Sequence, residues 1–149
     1  MSNIMLPEPP LPAGRYAAVV VRQGIGFVSG QFPIQNGRIA FQGRVGLELT
    51  LDEGSEACRV AALNVLAQIS SVTDGFSNLD GILRLDGYIA SADHFQSQPI
   101  VLDAASELFE EVLSNAGRHA RGAFAVPRLP LNAAVELCVS FALKTKSNG

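Results

Sequence analysis

The sequence predicts an α+β fold, a mixed β-sheet covered by two helices on one face. Three observations support this prediction: two long segments repeat apolar residues at helical spacing, β-rich segments lie before, between and after them, and hairpin turns outnumber crossovers. The chain has 149 residues, a length that suits one domain with a single hydrophobic core. We therefore treat residues 1–149 as one domain.

The chain is expected to begin with an extended arm at residues 1–14. Prolines at positions 7, 9, 10 and 12 favour a polyproline-like conformation there. The arm has no basic region followed by an apolar run, so it does not resemble a secretory signal, and no later apolar run reaches the roughly 18 residues that span a membrane. We expect a cytoplasmic protein with no membrane partner.

A β-hairpin is predicted after the arm. Residues 16–22 are rich in β-forming side chains, and residues 26–30 can pair back to them across Gln23-Gly24. The dipeptide Asn36-Gly37 favours a turn with positive φ, after which residues 39–45 are predicted to add a short third strand.

The first helix is predicted to begin after Thr50. Thr50 and Glu53 have the spacing of a capping box, in which each side chain bonds the backbone N–H of the other residue. Apolar residues then recur at helical spacing up to about Val72, and Asp74-Gly75 is expected to end the helix. The apolar stripe contains Cys58, Ala61, Ala62, Val65, Leu66 and Ile69.

A strand and a second helix follow. Residues 83–90 alternate apolar and polar side chains, with Leu83, Leu85 and Ile89 on the apolar face. Residues 99–116 carry a wide helical stripe, and Gly117 stands where a glycine commonly ends a helix. The stripe consists of Val101, Leu102, Ala105, Leu108, Phe109, Val112 and Leu113.

The last two strands are predicted at Ala120–Val126 and Val135–Leu143, joined by a proline-bearing turn at 129–132. In the second of them, alternate residues are large and apolar and are expected to face the helices. The residues between them form a mostly small face: Glu136, Cys138, Ser140 and Ala142. A strand that faces water usually carries more charged side chains. We therefore expect a second sheet to cover this face in a homo-oligomer with sites at its seams.

Composition argues against several classes of protein. The formal net charge is −3 and the arginines are scattered along the chain, so no basic face for a nucleic-acid backbone is expected. Cys58 and Cys138 form neither a metal-binding quartet nor a disulfide framework. Free thiols are the simpler interpretation, and one disulfide remains open. His94, Asp93 and Asp103 lack metal-ligand spacing with other residues, so no metal site is expected.

Arg121 and Glu136 are the candidate catalytic residues. They place a permanent cation and a carboxylate on consecutive extended segments with small, apolar neighbours. An arginine fork matches a substrate carboxylate, and a carboxylate can move a proton through one bound water. The spacing alone is equally compatible with a structural ion pair between neighbouring strands. Taken alone, Glu136 fits an interface carboxylate better than a general base.

Two residues near this pair are secondary candidates. His119 lies close to Arg121 in sequence and could carry a proton, although a lone histidine is usually structural. Cys138 shares the predicted face of Glu136, but no partner base is identifiable, so a nucleophilic role is not favoured.

Four motifs follow one another along the chain. They are Gly14-Arg15-Tyr16 at the predicted first strand, residues 28–33 (Val-Ser-Gly-Gln-Phe-Pro), Leu63-Asn64, and the stretch from Ala120-Arg121 through Leu129-Pro130 to Glu136. Together they resemble the RidA/YjgF family, often labelled endoribonuclease L-PSP, over nearly the whole chain. Extra residues before the second helix resemble a less characterised branch of that family.

The resemblance implies a chorismate-mutase-like fold assembled as a homotrimer, with three clefts between subunits and no cofactor. In the well-studied branch these clefts hydrolyse enamine and imine intermediates made by pyridoxal-phosphate enzymes, which releases ammonia and a 2-keto acid. By position, Arg121 matches the residue that grips the substrate carboxylate, and Glu136 matches the residue that positions water. Tyr16 and Gly30 match positions that line the cleft. Ala123 is expected to be a further substrate-binding position.

The chain departs from the family pattern at two places. The better-known branch carries an asparagine early in its second helix, whereas this chain has Leu102-Asp103 after extra residues at 96–99. Gly122 stands where a small hydroxyl residue is common. We therefore expect the carboxylate grip to be kept while the substrate differs, or is bound without turnover.

Three functions are compatible with these observations. They are an imine or enamine deaminase acting on a small carboxylate-bearing metabolite, a non-catalytic binder of such metabolites, and an RNA-cleaving translation inhibitor. The absence of a basic face argues against the third. The sequence does not identify the substrate.

Overall fold

The structure, a computed structural model, describes residues 3–146. In chain order the strands and helices are β1 (Val19–Arg22), β2 (Ile25–Gln31), β3 (Ile34–Gln35), β4 (Arg38–Ile39), α1 (Leu51–Val72), β5 (Leu79–Ala90), α2 (Gln98–Leu113), β6 (Ala120–Val126) and β7 (Val135–Leu143). Short 3₁₀ turns lie at Ser114–Gly117 and Pro130–Asn132.

Five strands form the main sheet, in the order β1-β2-β7-β5-β6. β5 and β6 run parallel, and the other neighbours run antiparallel. α2 joins the parallel pair, because parallel strands need a long crossover connection. Both helices pack on the same face of the sheet and share its hydrophobic core. The predicted α+β fold with a mixed sheet and two helices is confirmed.

The predicted start of α1 is confirmed. Glu53 N donates to Thr50 Oγ1 (3.1 Å), and Thr50 N donates to Glu53 Oε1 (3.0 Å), so both halves of the capping box are formed. Every residue of the predicted apolar stripe of α1 is fully buried. Local capping and the stripe together set where this helix begins and which side it buries.

The first hairpin is confirmed, and the predicted third strand is wrong. β1 pairs antiparallel with β2. The turn at Asn36-Gly37, with positive φ at both residues, joins only the two-residue strands β3 and β4. Residues 39–45 do not continue as a strand, because Phe41 (φ 60°) and Gly43 (φ 125°) have positive φ values that interrupt an extended backbone.

Two strand boundaries differ from the prediction. β1 begins at Val19, so Tyr16 lies before the strand and not inside it. β5 begins at Leu79. A register shift between Ile82 and Arg84 turns the Leu83 side chain away from the core, and Leu83 is 44% exposed. The predicted place of Leu83 on the apolar face is wrong, since a one-residue shift reverses the face on which a strand residue lies.

The second helix ends earlier than predicted. α2 stops at Leu113, and Ser114 has positive φ (53°) at its C-terminal end. Gly117 belongs to the following 3₁₀ turn, so it does not end the helix. A glycine is needed there because of a close approach: a Cβ on Gly117 would lie 2.6 Å from the carbonyl carbon of Phe109.

The two faces of the main sheet differ in polarity. The large residues of β7 are buried beneath the helices, as predicted: Val135, Leu137, Val139 and Phe141. We call the opposite side, which carries Glu136, Cys138 and Ser140, the open face; these three side chains are partly buried. Neighbouring strands add other residues to the open face: exposed Phe27 and Phe124, and the ion pair Arg84–Asp86. The open face is therefore more aromatic and more charged than β7 alone predicted.

The N-terminal arm lies along α1. Residues 3–12 form neither helix nor strand. Gln68 Nε2 of α1 donates to Pro10 O (2.7 Å), and the side chains of Ile4 and Leu6 pack against the core. These contacts bind the arm to the surface of the domain.

Candidate functional site

The Glu136 side chain lies on the open face, against Gly30 of β2. The register between β2 and β7 shifts between Val28 and Gln31, so Gly30 lies in an irregular part of the strand beside Glu136. A Cβ on Gly30 would lie 2.8 Å from Glu136 Cδ and still closer to Oε2. Only glycine leaves room for the carboxylate in this position. Two residues that the sequence assigned to the site are therefore in contact.

The surroundings of Glu136 favour its protonated form. The side chain is half-buried, and this burial raises the pKa of the carboxyl above its ordinary value. Within residues 3–146, no hydrogen-bond or ion-pair partner holds the carboxylate. A carboxyl whose pKa moves towards neutral pH is better suited to accept and return a proton under those conditions. The group is therefore suited to acid–base chemistry with a bound water.

Tyr16 lies near Gly30, at the end of the arm. Both residues line a small cleft of about 20 Å³, together with residues of the arm. This volume is enough for a single water molecule. The Tyr16 side chain is 51% exposed, and its hydroxyl accepts a hydrogen bond from Ala13 N (3.3 Å). Gly30 thus lies between two candidate residues, Tyr16 in this cleft and Glu136 on the open face.

Arg121 lies on the opposite side of the sheet from Glu136. On β6 it is in register with Leu85, whose side chain is buried in the core. The guanidinium contacts α2 at three points: Nη1 pairs with Asp103 Oδ1 (2.8 Å), Nη1 donates to Ser106 Oγ (3.1 Å), and Nη2 donates to Pro99 O (3.2 Å). The second helix therefore holds Arg121 at the edge of the sheet, with 27% of its side chain still exposed.

Arg121 and Glu136 do not pair with each other within the chain. β5 separates β6 from β7. Two strand spacings therefore place these strands about 10 Å apart. Glu136 is in register with Tyr88 on the open face, whereas Arg121 faces α2. The predicted alternative of a structural ion pair between neighbouring strands is wrong, and a single chain keeps the two catalytic candidates apart.

His119 belongs to the group of residues around Arg121. Its Nδ1 donates to Gly117 O (2.6 Å), and its Nε2 lies 2.8 Å from Ser106 Oγ. Because a carbonyl oxygen only accepts, Nδ1 carries a proton, and the contact of Nε2 with the Ser106 hydroxyl suits either a donor or an acceptor at that nitrogen. Both ring nitrogens are engaged within the chain. This geometry suits His119 to support Ser106 and Arg121 better than to carry protons to Glu136.

Ala123 and Cys138 also lie on opposite sides of the sheet. Ala123 is in register with Gly87 and packs against the hydrophobic core. Cys138 lies on the open face, where burial first, and then the charges of Glu136 and Asp86, raise the pKa of its thiol to about 11. Cys138 and Cys58 are both free thiols. A thiol with so high a pKa is a weak nucleophile near neutral pH.

Sequence reasoning missed the two side chains that hold Arg121. Asp103 and Ser106 stand on α2 three residues apart, a spacing that places two side chains on the same side of a helix. That spacing was a usable signal. Only the sheet order, which puts β6 next to β5 and beneath α2, shows that this side of the helix faces Arg121.

The described part of the chain contains no cluster of side chains suited to bind a metal ion. Within residues 3–146, no three side chains of His, Cys, Asp or Glu cluster closely enough to hold a metal ion. None of the described helices is both long and apolar enough to cross a membrane.

The chain is similar to known proteins over nearly its whole length. The sequence profile of the family described as "YjgF/chorismate_mutase-like, putative endoribonuclease" matches residues 2–144. Protein TCP17 of Trypanosoma cruzi is 34% identical over 136 residues, which cover 91% of this chain and 85% of that protein. A crystal structure from Shewanella oneidensis MR-1, described as a "putative endoribonuclease", is 34% identical with a TM-score of 0.90, and the alignment covers 94% of this chain and 93% of that chain.

A more distant structure shares the fold and contains a small ligand. The crystal structure of E. coli TdcF with bound serine is 23% identical to this chain and has a TM-score of 0.67, with 93% of this chain and 94% of that chain covered. At this level of identity the likeness concerns the fold alone. Together with the family profile, it confirms the predicted fold.

Proposed function

This chain belongs to the YjgF/chorismate mutase-like family, and from that premise we propose that it is an enamine and imine deaminase. The reaction adds water to a protonated 2-imino acid, R–C(=NH2+)–COO−, and releases the 2-keto acid R–C(=O)–COO− and an ammonium ion. An enamine substrate first takes up a proton at carbon and so becomes the same imine. The chemistry exchanges only water, protons and ammonia, so the protein side chains suffice.

The position of Glu136 is the observation that carries the proposal. Its carboxylate lies in a half-buried place that Gly30 keeps open, and burial raises the pKa of the carboxyl above its ordinary value. A carboxyl in this state can give a proton to an enamine carbon. Once ionised, it can take a proton from the water that attacks the imine carbon. One residue thus serves both steps.

Arg121 supplies the second part of the proposed site. An arginine stays protonated at every physiological pH and presents a planar fork of donors that matches a carboxylate. α2 holds the guanidinium through Asp103, Ser106 and the carbonyl of Pro99, so the group is already oriented. A 2-imino acid held by its carboxylate has its reactive carbon next to that anchor, which favours attack by a positioned water.

A second copy of the chain completes the site in this proposal. Gly30 lies on β2, beside Glu136 on the central strand β7, whereas Arg121 lies on β6, the edge strand opposite β1. In a closed ring, the β6 edge of one copy meets the β1 side of the next copy, and each contact can join one arginine to one glutamate. We propose a ring of three copies, the homotrimer that the family resemblance implies. Such a ring would also cover Phe27 and Phe124 on the open face.

Two further observations favour a small metabolite over RNA. The related E. coli protein TdcF contains bound serine, a small molecule with a carboxylate. Among residues 3–146, four arginines pair with carboxylates: Arg44 with Asp93, Arg84 with Asp86, Arg121 with Asp103, and Arg128 with Glu48. Each pair reduces the positive charge available to a phosphate backbone, on which RNA affinity depends.

The test measures how long an imine survives with and without the protein. An amino-acid oxidase makes 2-iminopropanoate from alanine, and a nucleophilic trap records the imine that remains free. The wild-type protein is expected to lower the trapped imine by about tenfold or more, because positioned acid–base groups accelerate proton transfer. Arg121→Ala and Glu136→Gln are expected to return it to the uncatalysed level.

Arg118→Ala is the matched control. Arg118 is an exposed arginine just before β6 and has no contact with Asp103 or Ser106 among the described residues. Its loss should leave imine decay at the wild-type rate. If Arg121→Ala also kept that rate, the role of Arg121 would be rejected. If wild-type protein left imine decay unchanged while pyruvate raised its melting temperature, the chain would be a metabolite-binding protein and not a deaminase.

A further inference from the structure

The Arg121 guanidinium is already paired with an anion of its own chain. Asp103 Oδ1 lies 2.8 Å from Arg121 Nη1, and the Asp103 side chain is 51% exposed. We propose that Asp103 determines the charge type of the ligand: the site selects molecules that carry both a carboxylate and a positive nitrogen, and discriminates against simple anions. This inference rests on the proposed function, because it assumes that Arg121 grips the carboxylate of the ligand.

Arg121 keeps free donors for such a ligand. A guanidinium has five N–H groups. The two N–H groups of Nη1 have acceptors in Asp103 Oδ1 and Ser106 Oγ, and one N–H of Nη2 donates to Pro99 O. Within the described structure the Nε–H and the second N–H of Nη2 have no acceptor. A ligand carboxylate can therefore bind Arg121 while Asp103 stays in place.

A bound carboxylate would share the single positive charge of Arg121 with Asp103. Two anions around one cation leave a negative excess, which a positive group on the ligand can offset. In a protonated 2-imino acid, the positive nitrogen is attached to the carbon beside the carboxylate. It is therefore only a few ångströms from the anchored group, a distance at which opposite charges attract appreciably. A 2-keto acid has a neutral oxygen in the same position and lacks this attraction.

The negative charge of Asp103 also affects the substrate and the product differently. The protonated imino acid is a zwitterion, whereas hydrolysis removes the positive nitrogen as ammonium and leaves a simple anion. Asp103 then repels the product more than it repelled the substrate, which favours product release. Because Asp103 is half exposed and screened by water, the expected effect is modest, about three- to tenfold in dissociation constant.

Asp103→Asn removes the negative charge at position 103 and keeps an acceptor for Arg121. The amide oxygen of asparagine can accept the same N–H of Nη1, so the position of Arg121 should be kept. Ser106 and the Pro99 carbonyl also continue to hold the guanidinium. Glu107→Gln is the matched control. It removes one carboxylate from the next turn of α2, where Glu107 is exposed and has no ion pair with Arg121.

The experiment compares two stable ligands with the same carbon skeleton. Alanine carries an ammonium group where pyruvate carries a carbonyl oxygen, and calorimetric titration at fixed ionic strength gives both dissociation constants. Wild-type protein is expected to bind alanine more tightly than pyruvate. In Asp103→Asn the pyruvate constant should fall about fivefold. The alanine constant should change much less, because the charge of Asp103 acts with opposite sign on the ammonium and the carboxylate of alanine. Glu107→Gln should leave the ratio of the two constants at its wild-type value.

The outcomes separate this inference from the proposed function. An unchanged ratio in Asp103→Asn overturns the charge selection, even if the protein hydrolyses imines. A changed ratio in a protein that hydrolyses no imine supports the charge selection and rejects the deaminase. If wild-type protein binds neither ligand, the charge selection is overturned, and imine decay alone then decides whether the protein is a deaminase.

Discussion

The carboxylate of Glu136 lies against the backbone of Gly30, in the space that a side chain on residue 30 would otherwise fill. Gly30→Ala is therefore expected to displace the carboxylate and to lower kcat/KM for imine hydrolysis by about tenfold to a hundredfold. The free energy of unfolding should change by only about 1 kcal/mol or less, because the displaced atoms are the end of a flexible, partly buried side chain. Imine-decay kinetics and urea unfolding of the same preparation measure the two effects.

Gly24→Ala is the control for this prediction. Gly24 lies in the turn between β1 and β2 with φ 79°, and a Cβ there would meet nothing within 4 Å. The change should cost about 1 kcal/mol of stability through backbone strain and leave kcat/KM unchanged. Full activity in Gly30→Ala would show that the contact with Glu136 has no bearing on catalysis.

The raised pKa of Glu136 predicts a pH-dependent stability. The carboxyl binds its proton more tightly in the folded than in the unfolded state, so its contribution to stability is greatest below its ordinary pKa of 4.5. That contribution is lost as the pH rises through the raised, folded-state pKa. Glu136→Gln does not ionise and should therefore raise the melting temperature at pH 8.

The difference between the two proteins must shrink at low pH. Well below pH 4.5 the wild-type carboxyl is protonated in both states, so wild type and Glu136→Gln should differ in melting temperature by much less than at pH 8. A pH series of melting temperatures checks this. A constant difference at every pH would mean that the amide changes packing and that ionisation of Glu136 has no part in it.

Mixed assemblies test whether the site combines two copies of the chain. Arg121→Ala and Glu136→Gln are each expected to be inactive alone. When the two chains are co-expressed in equal amounts, each contact in a ring receives an intact arginine from one neighbour and an intact glutamate from the other in about one quarter of cases. Imine hydrolysis should therefore return to about one quarter of the wild-type rate per site. If both residues of a site came from one chain, no activity would return.

The high pKa of the Cys138 thiol predicts slow alkylation. With a pKa of about 11 for Cys138 and about 12 for Cys58, few thiolates exist near neutral pH. Iodoacetamide at pH 7.5 should label the folded protein at least tenfold more slowly than the protein unfolded in guanidinium, an order-of-magnitude expectation from the thiolate fraction. Glu136→Gln should accelerate labelling of Cys138, because it removes one of the charges that raise the thiol pKa. Fast labelling of folded wild type would contradict this account.

Most helices and strands could be predicted because their signals are local. The capping box at Thr50 and Glu53 marks the start of α1, and its apolar stripe marks the buried side. The bounds of β7 follow from alternation with a period of two. Such signals involve residues a few positions apart and do not depend on the rest of the chain.

The errors lie where distant parts of the chain decide the outcome. The positive φ of Phe41 and Gly43 interrupts the predicted third strand, and nothing in the local pattern of residues 39–45 announces it. Gly117 was predicted to end α2, but it lies in the 3₁₀ turn that follows the helix. Glycine is needed at this position because the backbone approaches Phe109 closely. In both cases the backbone conformation is set by packing that spacing does not encode.

The sequence by itself determined the fold class, the two helices, the last two strands and the candidate residues Arg121 and Glu136. Tertiary structure decided how those two residues relate. Because β5 enters the sheet between β6 and β7, the arginine faces α2 and pairs with Asp103, while the glutamate lies on the open face over Gly30. Strand order depends on contacts between segments far apart in the chain, and it places two residues of consecutive strands on opposite sides of the sheet.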